Sequence, residues 1–299
     1  MALGRRSLRI TVLANRDIAS CIALNMLLPK LSDHRLSVFL SSRVGGRPSS
    51  TKPVAALQQL KFFEQQLFND AIFPLADAGG CSRGRPPYEE GLHTFRGLGR
   101  YTLQPIDTLN AINGHDFARY AETEPDLVLS IRYGVILKEP AIAVPKHGVL
   151  NLHSGLLPQH RGVMASFYAL LNGDQHLGTT LHTIDDPTID TGRILDRTML
   201  AAQSDKSYLW HVLALYPEGC ALMAKAVHAI AATGQLPPAA PQPAHTRQTP
   251  QQNYHSFPTQ EHFEALSDKG IALVDVEEVL ALARRFIQGP ERTEPPGES

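Results

Sequence analysis

The sequence contains few cysteines, and none of them is close to another. Its three cysteines, Cys21, Cys81 and Cys220, form no C-x-x-C pair. This spacing disfavours both a disulfide framework and a zinc site. The apolar run near the amino terminus is too short for a signal peptide or a membrane span, because polar residues follow it at 15–17. We therefore expect a cytoplasmic protein that binds no metal and contacts no membrane.

The chain also lacks any run of Lys and Arg, and its formal net charge is -1. This balance offers a polyanion no obvious surface, which disfavours nucleic acid as a partner. A glycine fingerprint of the G-x-G-x-x-G type is missing after the first predicted strand, where the residues are Ala14-Asn-Arg-Asp-Ile-Ala-Ser20. Its absence argues against a nicotinamide cofactor.

The order of apolar patterns predicts an α/β fold. Leu8–Ala14 is a short apolar run typical of a strand, residues 17–31 have helical spacing, and Leu36–Leu40 predicts a second strand. Such a βαβ unit is typical of a parallel sheet. Further strands are predicted at 126–131, 148–153, 178–184 and 193–200. The sequence therefore predicts a Rossmann-like, mostly parallel sheet with helices on both faces.

The chain is predicted to contain a catalytic domain at 1–205 and an extension at 206–299. Loop-rich stretches near both ends of residues 45–101 flank a helical pattern at 54–75, which predicts an insertion over the sheet edge. The extension begins with a long amphipathic helix at 207–232. A proline-rich linker, two short helices and a disordered tail are predicted to follow it.

Two polar side chains interrupt the predicted strand in the segment GVLNLHSGLLP, residues 148–158. Alternate side chains of a strand share a face, so Asn151 and His153 point to the same side. They lie near the carboxyl end of the strand, where open α/β sheets bind their ligands. Polar residues at a strand terminus also satisfy loop backbone groups. At this point both interpretations remain open.

A second segment, HTIDDPTIDTG at 182–192, contributes three carboxylates, from Asp185, Asp186 and Asp190. If both loops lie on the same rim of the sheet, an amide, an imidazole and a carboxylate converge there. An amide and a protonated imidazole can stabilise an oxyanion, while a carboxylate orients the imidazole and assists proton removal from an amine. This set predicts acyl transfer without a covalent enzyme intermediate.

The segments GVLNLHSGLLPQHRG and GTTLHTIDDPTIDTG resemble the 10-formyltetrahydrofolate-dependent formyltransferase family. This family includes methionyl-tRNA formyltransferase, glycinamide ribonucleotide transformylase and the sugar and amino-acid N-formyltransferases. The resemblance implies transfer of a formyl group to an amine through a tetrahedral intermediate, with 10-formyltetrahydrofolate as co-substrate. It assigns the catalytic roles to Asn151, His153 and Asp190.

The resemblance also implies a pterin pocket, formed by the segment after the preceding strand and by the second motif. Its expected residues are Arg132, Tyr133, Gly134, Ile136, Leu137, Ile184, Asp185, Asp186 and Asp190. Two departures from the family pattern affect these contacts. First, Ser154-Gly155 stands where the family usually has Pro-Ser. Second, the loop from His182 to Asp190 is one residue longer than usual, and Pro187 is expected to accommodate the extra residue.

Residues Asn15, Arg16 and Asp17 occupy the loop where a phosphate-binding transformylase has glycines. We expect them, together with Ser154 and Gly155, to contact a polar acceptor such as an amino acid. Asp17 as a helix N-cap beside a solvated Arg16 is the alternative.

The expected acceptor is an amino acid or a hydroxylated amine such as N5-hydroxyornithine. The region after residue 207 has few basic residues and little β-patterning, which disfavours tRNA as acceptor. A nucleotide-linked amino sugar and methionyl-tRNA remain as alternatives. The oligomeric state is not predicted.

Other functions use the same residues in different roles. A metal site formed by His153, His182 and Asp190 is disfavoured, because no two of them have the i, i+4 pairing typical of helical metal sites, and His182 is expected to be a packed or hydrogen-bonded strand residue. A serine hydrolase is disfavoured, since Ser154 lies in no G-x-S-x-G elbow and directly follows its base. A non-enzymatic folate-binding or interaction module is the remaining alternative.

Overall fold

The computed structural model describes residues 6–42, 54–82, 91–241 and 254–287. Its strands are β1 (Arg9–Asn15), β2 (Arg35–Ser41), β3 (Asp107–Thr108), β4 (Leu127–Ile131), β5 (Val149–His153), β6 (Arg161–Gly162), β7 (His176–Ile184), β8 (Ile194–Ala201) and β9 (Tyr254–His255). Seven of them form one sheet in the order β3-β2-β1-β4-β5-β7-β8, and β6 pairs with β9. The strands β1 to β5 are parallel, whereas β7 and β8 are antiparallel. The predicted mostly parallel sheet is confirmed.

The helices are α1 (Ile18–Leu27), α2 (Ala55–Lys61), α3 (Phe73–Ser82), α4 (Phe95–Leu98), α5 (Phe117–Ala121), α6 (Glu139–Ile142), α7 (Ala165–Asn172), α8 (Tyr208–Ala214), α9 (Tyr216–Thr233), α10 (Gln260–Asp268) and α11 (Val276–Ile287). A π-helix at Phe62–Ile72 joins α2 to α3. Short 3-10 turns occupy Leu28–Leu31 and Gly99–Tyr101.

Apolar side chains cover both faces of the sheet. On one face Leu13, Val128 and Val149 belong to a cluster with residues of α5 and α6. On the other face Leu129 and Leu150 belong to the larger core, which includes α1 and α9. The alternation of the strand side chains produces this division, because successive residues point to opposite sides.

One of the predicted long helices is wrong in its continuity, and another differs in type. The helix predicted at 207–232 is interrupted at Leu215, between α8 and α9. Pro217 lies in the first turn of α9, where a missing N–H and a fixed φ favour a new helix start. The helical pattern at 54–75 contains the π-helix, which the apolar spacing did not indicate.

The described part of the insertion packs on other helices, whereas the residues that pair at the sheet edge, Thr102 and β3, follow it in the chain, so its place over that edge stays a prediction. The π-helix contacts α1 and α11, and α3 contacts α11. At the edge, Thr102 forms a bridge with Leu36, and β3 pairs with β2. Residues 45–53 and 83–90 of the insertion lie outside the described residues.

The extension contributes to the same core as the sheet. Helix α9 packs against α1 and against β7 and β8, so the division at residue 205 stays a prediction. The end of the linker at 242–245 and the predicted tail at 290–299 lie outside the described residues.

Among the residues that the structure describes, no helix is both long enough and apolar enough to cross a membrane. Cys21 and Cys220 are buried free thiols. The side chain of Cys81 lies outside the described residues.

Candidate active site

Strand β5 presents Asn151 and His153 on the sheet face that also carries Val149. His153 is buried, and Asn151 is half-buried. The strand lies between β4 and β7, in the interior of the sheet. Both side chains are therefore held by pairing on both sides, which limits their movement.

Asp190 reaches this face by a route that the sequence did not indicate. In the antiparallel register Ile184, the last residue of β7, pairs with Val149, the first residue of β5. The two motifs were expected to leave the sheet at the same rim, but they leave it at opposite rims. The loop at 185–193 instead folds back across the face. It brings Asp190 Oδ2 to 3.5 Å from His153 Nδ1. The convergence of the three side chains occurs, but on the face of the sheet.

The hydrogen bonds of His153 define its tautomer. Its Nε2 lies 2.7 Å from the carbonyl oxygen of His160. A carbonyl only accepts, so Nε2 donates and carries a proton. Burial lowers the pKa of His153, although Asp190 acts in the opposite direction. The imidazole is therefore neutral at pH 7, and Nδ1 remains a proton acceptor beside Asp190.

Asp190 is held as a carboxylate. Burial acts to raise the pKa of Asp190, but His153 and a hydrogen bond from the Gly162 N–H, 2.8 Å from Oδ2, hold it well below its usual range. The charge lies where it can stabilise a proton arriving on His153.

His182 joins the site from β7, directly opposite Asn151 in the register. Its Nδ1 donates to the Thr183 carbonyl at 2.8 Å, so Nε2 accepts from Asn151 Nδ2 at 3.0 Å. The same Nε2 lies 3.5 Å from Asp190 Oδ1. One N–H of the Asn151 amide is used in this way, and among the described residues no group accepts the second, which is available to a ligand. The strand histidine expected from the sequence is buried and hydrogen-bonded, but its partner is the candidate catalytic amide.

Strand β6 holds two of the site residues through its backbone. The His160 carbonyl just before it accepts from His153, and the Gly162 N–H donates to Asp190. The C-terminal strand β9 pairs with β6, and His255 stacks on His160 with ring centroids 5.6 Å apart. His160 Nε2 also donates to Asp174 Oδ2 at 2.6 Å. The pairing of β6 with β9 was not predicted from the sequence, because each strand contains only two residues.

Gly155 packs directly against the imidazole. A Cβ at this position would lie 2.7 Å from His153 Nε2 and 2.5 Å from the Ala165 Cβ. Thr180 Oγ1 fixes the Gly155 carbonyl by a 2.7 Å hydrogen bond. The order Ser154-Gly155 thus leaves no room for a side chain at 155, and Ser154 is half-buried beside it.

Most of the expected pterin residues lie along the same sheet face. Tyr133, Leu137 and Ile184 belong to the apolar cluster that includes Val149. Ile136 is about half exposed, with 54% of its surface accessible. The polar groups around them make the following contacts: Tyr133 OH donates to the Leu109 carbonyl at 2.6 Å, Gly134 N donates to Ser41 Oγ at 2.9 Å, Asp185 accepts from Thr183 Oγ1 at 2.7 Å, and the exposed Asp186 accepts from Thr188 N at 2.7 Å.

Arg132 differs from the other expected pterin residues, because its side chain is engaged elsewhere. It pairs with Asp17 at 3.0 Å and with Glu64 of the π-helix at 2.9 Å. Its backbone has φ 57°, in the left-handed region that is uncommon for residues other than glycine. Arg132 therefore connects β4, the β1–α1 loop and the insertion.

The three expected acceptor residues of the β1–α1 loop have different environments. Asp17 is the N-cap of α1, with Oδ1 accepting from Ser20 N at 2.7 Å. Asn15 donates to Asp17 Oδ2 at 3.0 Å. Both side chains are buried within the loop, whereas Arg16 is exposed. Of the three, Arg16 is the one that faces solvent.

Comparison with known proteins gives one family. Residues 111–208 match the family model described as formyl transferase. A methionyl-tRNA formyltransferase from Ehrlichia ruminantium is 32% identical over 115 residues, covering 38% of this chain and 37% of the relative. One from Burkholderia pseudomallei is 28% identical over 165 residues, covering 55% of this chain and 46% of the relative. The chain thus matches less than half the length of these curated relatives.

A solved structure has a similar fold. The N-formyltransferase from Helicobacter canadensis, in complex with folinic acid and dTDP-3-aminofucose, superimposes with a TM-score of 0.50 at 15% identity, covering 91% of this chain and 82% of that one. At this identity the likeness concerns the fold. The family match includes Asn151, His153 and Asp190 within residues 111–208. The similarity to the formyl transferase family thus extends over residues 111–208, about a third of the chain.

Proposed function

We propose that the protein transfers a formyl group from 10-formyltetrahydrofolate to an amine of a small molecule. One observation carries this proposal: Asn151, His153 and Asp190 converge on one face of the sheet, with Asp190 3.5 Å from His153. An amide N–H, a neutral imidazole and an ionised carboxylate are the groups that acyl transfer to an amine requires.

The residues beside Asn151, His153 and Asp190 suit the pterin ring of the formyl donor. A pterin has a flat ring with N–H groups along one edge, so it needs an apolar surface and acceptors. The cluster that includes Leu137 and Ile184 supplies apolar surface, and the following carboxylates of Asp185 and Asp186 supply acceptors. The folate supplies an activated formyl group on a nitrogen that can leave.

The side chains then have distinct roles in the transfer. As the amine nitrogen bonds to the formyl carbon, the carbonyl oxygen becomes an oxyanion, which the second N–H of Asn151 stabilises. The proton that the amine loses moves to Nδ1 of His153, and Asp190 stabilises the resulting imidazolium. His153 returns this proton to the folate nitrogen as the carbon–nitrogen bond to the donor breaks. The products are a formamide and tetrahydrofolate.

We infer that the acceptor is an amino acid or a hydroxylated amine such as N5-hydroxyornithine. Among the described residues after 207 the elements are four helices and the two-residue strand β9. These described elements include no broad basic sheet that could hold tRNA. Two other acceptors must be tested against an amino acid. The names of the curated relatives suggest methionyl-tRNA, and the solved structure with dTDP-3-aminofucose suggests a sugar nucleotide.

The test is a transfer assay with the purified full chain and 10-formyltetrahydrofolate. Ornithine, N5-hydroxyornithine, dTDP-3-aminofucose and methionyl-tRNA are offered separately, and tetrahydrofolate release and acceptor mass are followed. A gain of one formyl group on one of the small amines supports the proposal. Formylation of methionyl-tRNA alone contradicts the small-molecule acceptor, and no transfer to any amine contradicts the activity.

A second measurement separates catalysis from donor binding. Asp190→Asn removes the charge that stabilises the imidazolium but keeps the shape of the side chain. We expect turnover to fall by about a hundredfold or more, while binding of folinic acid changes little. Equal loss of turnover and binding would instead indicate that Asp190 acts only by holding the loop.

A further inference from the structure

A cleft of about 160 Å³ lies between the β1–α1 loop and the π-helix of the insertion. Its described lining residues are polar, and they are Arg16, Ser42, Gln65, Gln66, Asn69 and Asp70. Arg16 and Ser42 follow the carboxyl ends of β1 and β2, which are neighbouring parallel strands. The cleft therefore opens at the edge of the sheet where open α/β folds bind ligands.

Two sets of contacts fix the walls of this cleft against each other. Arg16 Nε donates to Asn69 Oδ1 at 3.3 Å, and Asn69 Nδ2 donates to the Arg16 carbonyl at 3.1 Å. One turn earlier, Glu64 of the same π-helix pairs with Arg132 at 2.9 Å, and Arg132 pairs with Asp17 at 3.0 Å. The ion triad is mostly buried, so the π-helix is held at a fixed position beside the loop.

The guanidinium of Arg16 is positioned for a ligand. Its Nε is occupied by Asn69, and within the residues that the structure describes its two Nη groups have no protein partner. These groups form a planar fork that matches the two oxygens of a carboxylate. Since the opposite wall fixes Nε, the fork is oriented before a ligand arrives.

The charges of the cleft favour a zwitterion over a diphosphate. Among its described lining residues the charged groups are Arg16 and Asp70, one of each sign. An α-carboxylate and an α-ammonium group match this pair, and Gln65 and Ser42 can complete their hydrogen bonds. A nucleotide diphosphate would bring two negative charges to a single cation beside a carboxylate, which electrostatic complementarity disfavours.

The candidate catalytic side chains lie two strands away from the strand that leads to Arg16. In the sheet order, β4 alone separates β1 from β5. Two strand spacings amount to about 10 Å. A ligand bound at Arg16 by its headgroup therefore needs a chain of carbons between its α-carbon and its terminal amine to reach these side chains.

We propose that this cleft binds the α-carboxylate and α-ammonium groups of an amino acid whose side-chain amine is the formyl acceptor. The assignment rests on the proposed formyl transfer and gives its acceptor class. Arg16 binds the carboxylate and Asp70 binds the ammonium group. The insertion is thus the part of the chain that selects the acceptor.

The test uses ornithine and two analogues that each lack one headgroup charge. Putrescine lacks the carboxylate, and N2-acetylornithine lacks the α-ammonium charge. Binding is measured by calorimetry on the full chain, and transfer by tetrahydrofolate release. The variants are Arg16→Met and Asp70→Asn. Their matched controls are Arg35→Met, at the exposed start of β2, and Asp196→Asn, on the exposed side of β8.

We expect Arg16→Met to weaken ornithine binding and to raise its KM by about ten- to one-hundredfold, the range for hydrogen bonds to a charged group. Putrescine binding should not change in this variant, and Asp70→Asn should affect ornithine but not N2-acetylornithine. Folinic acid binding should stay the same in both variants. The two controls should behave as the unchanged protein.

The outcomes separate this inference from the proposed activity. If the protein formylates dTDP-3-aminofucose or any other amine, and neither Arg16→Met nor Asp70→Asn affects this transfer, the assignment of the cleft is overturned. The proposed formyl transfer then still stands. Ornithine binding that depends on both residues without formyl transfer supports the cleft and overturns the activity. Equal effects of Arg16→Met on ornithine and putrescine contradict the carboxylate role.

Discussion

The two nitrogens of His153 have different surroundings, and this difference determines what the side chain can do. Nε2 donates to the His160 carbonyl at 2.7 Å, while Nδ1 faces the Asp190 carboxylate at 3.5 Å. Only Nδ1 is available to receive a proton, and the charge that would stabilise this proton is already in place. These surroundings support the proposed role of His153 as a base whose protonated form is stabilised by Asp190.

Replacement of His153 by Ala removes this base. We expect turnover to fall by about one hundred- to ten thousandfold, the usual contribution of general acid–base catalysis. Single-turnover formyl transfer measures the loss, with folinic acid binding as a check of the fold. His228→Ala, a histidine on α9 away from the site, is the matched control. A His153→Ala variant that retains most of its turnover would contradict the mechanism.

The pH dependence of transfer follows from the lowered pKa of His153. Its ordinary pKa is about 6.5, and burial lowers it. A base must be neutral to act, so a lowered pKa keeps it active to lower pH. We expect kcat/KM to decrease only below about pH 6.5, and Asp190→Asn to move this decrease to still lower pH, because the raising effect of the carboxylate is lost. A decrease centred above pH 7 would contradict this assignment.

At the scale of residues, the resemblance of the two motifs to the formyltransferase family pointed to Asn151, His153 and Asp190, which the structure brings together. The sequence did not predict that His182 would bond to Asn151. That contact depends on the register between β5 and β7, and a one-residue shift in register would move His182 to the other face. The role of Glu64 was equally hidden, since its partner Arg132 is 68 residues away.

At the scale of elements, the loop at 185–193 is the decisive part of the site. It begins beside Val149, at the amino end of β5, and must return across the sheet face to bring Asp190 to His153. Asp190 adopts φ 54° on this path. The return is tight at Gly192, where a Cβ would lie 1.7 Å from the Thr183 carbonyl oxygen. The loop can follow this path only with glycine at that position.

Gly192→Ala tests this dependence. We expect the displaced loop to cost about 1–3 kcal/mol in unfolding free energy and to reduce turnover by withdrawing Asp190 from His153. Urea denaturation and transfer kinetics measure the two effects. Gly99→Ala is the control, because a Cβ there has no neighbour within 4 Å. Unchanged turnover in Gly192→Ala would show that the loop tolerates displacement.

The sequence predicted most strands and their order at this scale, because buried strands and a βαβ unit have clear apolar patterns. It predicted neither the π-helix nor the pair β6 and β9. A π-helix differs from an α-helix in its backbone hydrogen bonds rather than in composition. Strands of two residues have too few positions to show an alternation.

At the scale of the whole molecule, the Asp17–Arg132–Glu64 triad joins three parts of the chain. It links the β1–α1 loop, the end of β4 and the insertion. The Asp17 side chain is fully buried, and those of Arg132 and Glu64 are 20% and 13% exposed. A buried triad of this kind tolerates the loss of one member poorly, because the remaining charges are left unpaired.

Replacing Arg132 by Met should therefore destabilise the protein by about 3–5 kcal/mol. Two carboxylates would face each other without their cation, although the volume of the side chain is nearly kept. Thermal and urea unfolding measure the loss, with Arg35→Met as an exposed control. A loss no larger than that of the control would show that the insertion is held in place by its apolar contacts alone.

The π-helix at Phe62–Ile72 also has a consequence for how related proteins could diverge. Each residue added to a helix rotates all the side chains that follow it about the helix axis, so the direction of a helical side chain depends on the number of residues that precede it. Gain or loss of one codon early in this segment would turn Asn69 and Asp70 away from Arg16 together. The sheet and both catalytic motifs would remain as they are. Acceptor preference in such proteins could therefore change through the length of one segment, without any substitution at the chemical centre.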